Sequence, residues 1–125
     1  PHLVPYWTFC HRPLDLEAMR KAASYFVGKH DFVSFAANPD RVLETTVRTI
    51  FSFEVRKVGH RYTFIVQGDG FLYKQVRSMV GFLIAVGKGH EKPEAVKELL
   101  DAHQPRTARV ETAPGRGLFL WKVFY

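Results

Sequence analysis

The chain has 125 residues, a formal net charge of +6 and a 46% hydrophobic composition. That length carries one domain with a real core, and the 11 phenylalanines supply much of the apolar volume. No apolar run reaches the roughly 18 residues of a membrane span, and the single cysteine, Cys10, excludes an intrachain disulfide or a cysteine-built zinc site.

Sparse cysteine points to a reducing compartment. The basic balance permits a polyanion partner such as nucleic acid, and equally a merely soluble basic surface. The chain begins with Pro1 and shows no signal-peptide pattern. It reads as a piece of a longer protein.

Residues 1–13 carry Pro1, Pro5 and Pro13 among scattered aromatics and read as a linker or a lone edge strand. Asp15 is placed to N-cap a first helix, Glu17 suits its first turn, and Gly28 is a natural stop. Leu16, Met19, Ala23, Phe26 and Val27 form its apolar face. Farther on, Phe32 and Phe35 are expected to pack and Asp31 to cap a turn. Residues 36–46 read as a polar loop.

Residues 47–57 and 60–67 alternate with period two and predict two strands. Val47, Thr49, Phe51, Phe53 and Val55 share one face of the first; Tyr62, Phe64 and Val66 share one face of the second. A two-residue turn at Val58-Gly59 would pair Val55 with Tyr62, Phe53 with Phe64 and Phe51 with Val66.

The spacing of Leu72, Val76, Met79, Val80, Leu83 and Val86 predicts a helix over 71–87. Asp69 is expected to cap it. Tyr73, Arg77 and Gly81 lie four apart on a row flanking the apolar stripe, so Arg77 sits on a border where a charge needs a partner. Gly81 costs the helix about 1 kcal/mol relative to alanine, which suggests a close approach by another backbone or a substrate. Pro93 suits a first helical position, and Ala95, Val96, Leu99 and Leu100 face the core from a third helix ending near His103. Residues 104–116 form a basic loop. The segment 117–125 is a strand with both faces apolar: Leu118, Leu120 and Phe124 on one, Phe119, Trp121, Val123 and Tyr125 on the other.

This order of elements implies an α+β domain, an antiparallel β-sheet with helices packed on one face. The uncovered face is the place for a partner domain, another subunit or RNA.

The six histidines, at 2, 11, 30, 60, 90 and 103, form no metal-ligand spacing. His30-Asp31 reads as a capped turn rather than a dyad. Gly68-Asp69-Gly70 lacks the remainder of a nucleotide-binding motif. No serine elbow occurs, Cys10 has no evident activating partner, and no carboxylate pair stands out. Arg77 is either a surface arginine packing its stem on the helix edge or half of a functional ion pair. Arg48, Lys74, Lys88 and the basic loop are candidates for holding phosphates.

Several ordered stretches resemble the TruA-type tRNA pseudouridine synthases. These are Pro13 to Met19, the Gly28-Lys29-His30-Asp31-Phe32-Val33-Ser34-Phe35 run, Val47 to Ile50, the run from Phe71 to Gly81 with Val86-Gly87-Lys88-Gly89, and Ala113 to Leu120. The resemblance covers nearly the whole chain. It implies a pseudouridine synthase C-terminal domain with a ferredoxin-like arrangement, over residues 14–125, with 1–13 a linker or edge segment from a missing N-terminal half. It implies isomerisation of uridine to pseudouridine in tRNA, in the anticodon stem-loop, without a cofactor, by a typically homodimeric cytoplasmic enzyme (mitochondrial in a eukaryote). By that likeness Arg77 pairs with the catalytic aspartate and Leu118 lines the uracil pocket. Phe71 and Tyr73 would be wall residues, and Arg48, Lys74 and Arg116 substrate contacts. The family's Gly-Arg-Thr-Asp motif and its tyrosine motif are absent from these 125 residues, so the chain alone is expected to be inactive. The alternative is a non-catalytic RNA-binding or dimerisation module of the same fold. A metal-dependent nuclease would need a carboxylate and histidine cluster that the sequence does not display.

Overall fold

Strand and helix patterns are realised in the order β1 (His2–Phe9), α1 (Leu16–Phe26), β2 (Gly28–Asp31), a 3₁₀ turn (Val33–Phe35), β3 (Val47–Val58), β4 (Arg61–Gly68), α2 (Gln75–Gly87), α3 (Ala95–Ala102) and β5 (Leu118–Leu120). The structure, a computed structural model, describes residues 2–35, 46–71, 74–102 and the strand at 118–120. The strands form one antiparallel sheet in the order β2-β3-β4-β1-β5. Without the short β2 this is a β-α-β-β-α-β unit with order β3-β4-β1-β5. The expected α+β class, an antiparallel sheet with helices packed on it, is the one that forms.

Residues 2–9 are neither a linker nor an edge. β1 pairs with β4 from His2↔Gly68 to Phe9↔Arg61 and with β5 at Tyr6–Thr8, so it lies inside the sheet. Its inward residues Val4, Tyr6 and Thr8 alternate with Leu3, Pro5, Trp7 and the exposed Phe9. Apolar residues on both faces erased the alternation that marks a strand. Pro5, which argued for an edge, sits opposite Ile65 just outside the stretch that β5 covers.

Asp15 caps α1 as its position demands, its carboxylate accepting from the Ala18 N–H at 3.0 Å. Met19, Ala22, Ala23 and Phe26 form the buried face, whereas Val27 is 40% exposed beyond the last turn. Gly28, at φ +116°, ends the helix and opens β2, a strand that its four residues were too short to signal. Phe26 meets Phe32, Phe35 and Phe53 at centroid separations of 6.4, 5.0 and 5.7 Å. Burying each such ring contributes about 1.5–3 kcal/mol. Asp31 caps the following turn through the Val33 N–H at 3.0 Å.

The hairpin forms with a register different from the expected one. Its turn is Gly59-His60, so Val55 faces Phe64 and Phe53 faces Val66. Gly59 has φ +61° and His60 does not, the sign pattern of a II′ turn with glycine first. The shift is two residues on the partner strand, which keeps the same side chains on the same face. A bulge between Ile50 and Ser52 then breaks the alternation. Ile50 turns inward at 1% exposure and Phe51, expected in the core, is 52% exposed.

On α2, Val76, Met79, Val80, Leu83 and Val86 are buried as the spacing predicts, and Phe82 is buried as well, against Phe35. A close approach is described at Gly87, at the C-terminal end of α2. A Cβ on Gly87 would stand 2.8 Å from Met19 Sδ, and the Gly87 carbonyl accepts from the Asp15 N–H at 2.9 Å. α3 buries Ala95, Val96, Leu99 and Leu100, the four residues its spacing selected. The opposite sheet face leaves Phe9 and Val58 exposed and carries a groove of about 400 Å³ lined by Pro5, Trp7, Arg56, Val58, Arg61, Thr63 and Ile65. The expected polar loop at 36–45, the basic loop and the end of the last strand fall outside the described residues.

The bulge and register make a direct prediction. A Cβ on Gly68 would lie 2.8 Å from the Thr49 carbonyl oxygen, a backbone atom that cannot rotate away. Gly68→Ala should therefore lower unfolding free energy by about 1–3 kcal/mol in urea titration. An unchanged midpoint would contradict the described β3–β4 register.

Candidate active site

The site is assembled around β1. Arg77 is the third residue of α2 and is half-buried on the helix border. Its positive charge acts on the phenol of Tyr6, an inward residue of β1, and pulls that phenol's pKa down against the effect of burial. Two residues along β1, about 7 Å, Thr8 is paired with Leu118 of β5. Sequence-distant Arg77 and Leu118 are thus brought to neighbouring positions of one strand, Arg77 through its charge on Tyr6 and Leu118 through backbone pairing.

Of the other sequence-selected residues, Phe71 and Arg48 lie together in a second group. Phe71 is partly buried and meets His2 edge-on at 6.4 Å. Arg48 is half-buried, donates to its own Val47 carbonyl at 2.8 Å, and passes beside Gly70. This second group lies by the His2 end of β1, four residues or about 13 Å from Tyr6 along the strand. Lys74 is exposed just before α2. Tyr73 and Arg116 fall outside the described residues.

The entrance to α2 also differs from expectation. The helix starts at Gln75, and Lys74 occupies its N-cap position with φ 58°, the left-handed region, and no side-chain cap. Asp69 does not cap α2. Its carboxylate accepts from the Thr49 N–H at 2.9 Å, and its own N–H donates to the Thr49 carbonyl at 3.0 Å. The bulge at Ile50/Ser52 places that strand end within reach, which satisfies backbone groups otherwise left over where the ladder stops. A non-glycine residue at positive φ costs on the order of 1–3 kcal/mol and recurs at functional sites. Lys74 places such strain one turn before Arg77.

Among the described residues, three aspartates have assigned structural roles. Asp15 caps α1, Asp31 holds the Val33 N–H and the Thr46 hydroxyl, and Asp69 holds β3. Asp101 is exposed on α3.

Tyr6 is the residue that sequence reasoning missed. The signal was available once residues 2–9 are read as a strand: Val4, Tyr6 and Thr8 share the inward face, and a buried tyrosine hydroxyl requires a polar partner. Burial pushes the Tyr6 phenol above its ordinary pKa of 10.0, and the hydrogen bond and positive charge of Arg77 pull partly the other way.

A family model described as tRNA pseudouridine synthase matches residues 22–125. The chain is 44% identical over 114 residues to a Clostridium perfringens protein named tRNA pseudouridine synthase A 2, covering 91% of this chain and 46% of that one. It is 46% identical over 112 residues to the tRNA pseudouridine synthase A of an Exiguobacterium species, covering 90% and 45%. With the Staphylococcus saprophyticus protein of the latter name it shares 40% identity over 124 residues, 99% of this chain and 46% of the relative. The chain spans a little under half the length of these curated relatives.

A raised phenol pKa has a defined consequence for stability. The folded state holds the Tyr6 proton more tightly than the unfolded state does, so the contribution is fully present below pH 10 and is lost as pH rises through the folded value. Wild type should therefore lose unfolding free energy above pH 10 faster than Tyr6→Phe in alkaline denaturant titrations. Parallel curves for the two proteins would contradict the burial and pairing of Tyr6.

Proposed function

Because the chain belongs to the tRNA pseudouridine synthase family, we propose that it forms the C-terminal half of an enzyme that isomerises uridine to pseudouridine in the anticodon stem-loop of tRNA. The observation that carries this reading is that Arg77 of α2 acts on Tyr6 of β1 while Thr8, two residues along the same strand, pairs with Leu118 of β5. Coverage of 46% of a relative supports a half-length unit. In this reading residues 1–13 carry the connection to the missing half into the sheet as β1, and 14–125 complete the domain.

The reaction breaks the bond between N1 of uracil and the ribose and forms one from C5 to the same ribose carbon. C5 loses a proton and N1 gains one, so the product is an isomer and no redox cofactor is required. The target base must leave its stack to be reached. The catalytic carboxylate in this reading is an aspartate on the missing N-terminal half, because the family's Gly-Arg-Thr-Asp motif does not occur in these 125 residues. Arg77 keeps that aspartate ionised and oriented through charge-assisted hydrogen bonds. Leu118 packs against the uracil, and Phe71 and Tyr73 extend the wall. Arg48, Lys74 and Arg116 hold tRNA phosphates, consistent with the net charge of +6. The enzyme acts in the cytoplasm, where its tRNA substrate is.

A second role, dimerisation, is favoured by the open sheet face, where Phe9 is 59% and Val58 70% exposed beside an apolar groove. In the homodimer this face meets a second copy. Val58→Asp would leave activity per site in place and shift sedimentation from dimer toward monomer; an unchanged dimer would remove this face from the interface.

For catalysis, residues 1–125 alone should form no pseudouridine. In the full-length enzyme Arg77→Ala should lower turnover by about 10²–10³-fold while tRNA binding largely persists. Pseudouridine formed by the 125 residues alone would place the catalytic carboxylate within them, and undiminished turnover of Arg77→Ala would remove Arg77 from the site.

A further inference from the structure

β3 is 12 residues long, and its two edges are unequally covered. β4 pairs with it as far as Val58, whereas β2 pairs only with Val47 to Ile50. From Phe53 onward β3 is therefore, among the described residues, an edge of the sheet. The turn at Gly59-His60 decides which backbone groups that edge presents. In a two-residue hairpin the closing pair, here Val58 and Arg61, exchanges both hydrogen bonds, and bonded positions recur at every second residue. Glu54, Arg56 and Val58 thus turn their N–H and C=O groups to β4. Phe53, Val55 and Lys57 turn theirs outward. Such a row is a template on which another strand can pair.

A side chain occupies the middle of that row. Arg20 of α1 donates from Nε to the Val55 carbonyl at 3.1 Å and from Nη1 to Glu17 Oε1 at 3.1 Å. The arginine crosses from the helix layer to the strand edge beside a cleft of about 410 Å³ lined by Arg20, Phe53, Glu54, Val55 and Arg56.

The side chains decide which strand this edge fits. Glu54 and Arg56 flank Val55 on one face and form an ion pair of 2.7 Å within the chain. Two copies of β3 laid antiparallel about Val55 set Val55 against Val55 and Phe53 against Lys57 as hydrogen-bonded pairs. Glu54 of each copy then lies opposite Arg56 of the other. Sliding one strand by two residues opposes Glu54 to Glu54 or Arg56 to Arg56, which is unfavourable. One register is therefore self-complementary in backbone and in charge, as a two-fold contact requires. Its central carbonyl is the one that Arg20 holds.

We propose that the β3 edge is a strand-pairing surface for a second copy of this chain, and that Arg20 keeps it closed by occupying the Val55 carbonyl. The contact joins sheets edge to edge, apart from the open sheet face, and uses no residue given a role in the reaction.

The test is sedimentation velocity on the full-length enzyme over a range of concentrations. The Arg20 side chain is 48% exposed, so Arg20→Ala should keep the circular dichroism of wild type. It should add a concentration-dependent species of twice the wild-type mass. Adding Arg56→Glu, which leaves acids on both sides of Val55, should remove that species. Adding Glu54→Arg as well, which restores opposite charges in exchanged order, should bring it back. An Arg20→Ala protein that sediments as wild type at every concentration would overturn the closing role of Arg20. A larger species that persists with Arg56→Glu, or that fails to return with the exchanged pair, would overturn the β3 register.

Discussion

The interior position of β1 is the constraint on which the rest of the structure depends. Its eight residues pair with β4 along their full length, and three of them pair with β5. Without it the β3–β4 hairpin and β5 would have no common sheet, and α1 and α2 would have no continuous surface to cover. It also carries both positions that define the candidate site. Arg77 on α2 acts on Tyr6, and Thr8 is paired sideways with Leu118. One strand thus determines the core and locates the site, and a displacement of β1 would affect both together.

The layer above the sheet is locked by close contact. Gly87 lets the end of α2 approach Met19 and Leu14, and its carbonyl takes the Asp15 N–H that starts α1. At the other end α2 opens on the left-handed Lys74 without a side-chain cap. The helix is therefore anchored at its C-terminal end. Near its N-terminal end the helix carries the half-buried Arg77, while the described Asp15, Asp31 and Asp69 are engaged in caps and strand ends. The arrangement is that of one wall of a cleft.

Much of this was legible from local patterns. Asp15, the stripe of α1, the four buried residues of α3 and the period-two faces of the hairpin follow from capping and periodicity, which act over a few residues. The failures were non-local. β1 was hidden because its two faces are both apolar and its partners lie some 60 and 110 positions downstream, as the Tyr6↔Phe64 and Tyr6↔Leu120 pairs record. The hairpin register turned on which two residues form the turn, and glycine in the first position decided it. The bulge that exposes Phe51 and redirects Asp69 arises from strand pairing, which no single-strand pattern encodes. Arg77 was legible as a charge on an apolar border, and the resemblance supplied its role. Tyr6, its structural partner, was not, because recognising it required β1 first.

In the proposed function Arg77 serves a carboxylate from outside residues 1–125. The most direct measurement is a crystal structure of the full-length enzyme bound to substrate tRNA. An aspartate from outside residues 1–125 should lie within hydrogen-bonding distance of the Arg77 guanidinium. An Arg77 turned to solvent, or paired there with an acid of this chain, would contradict it.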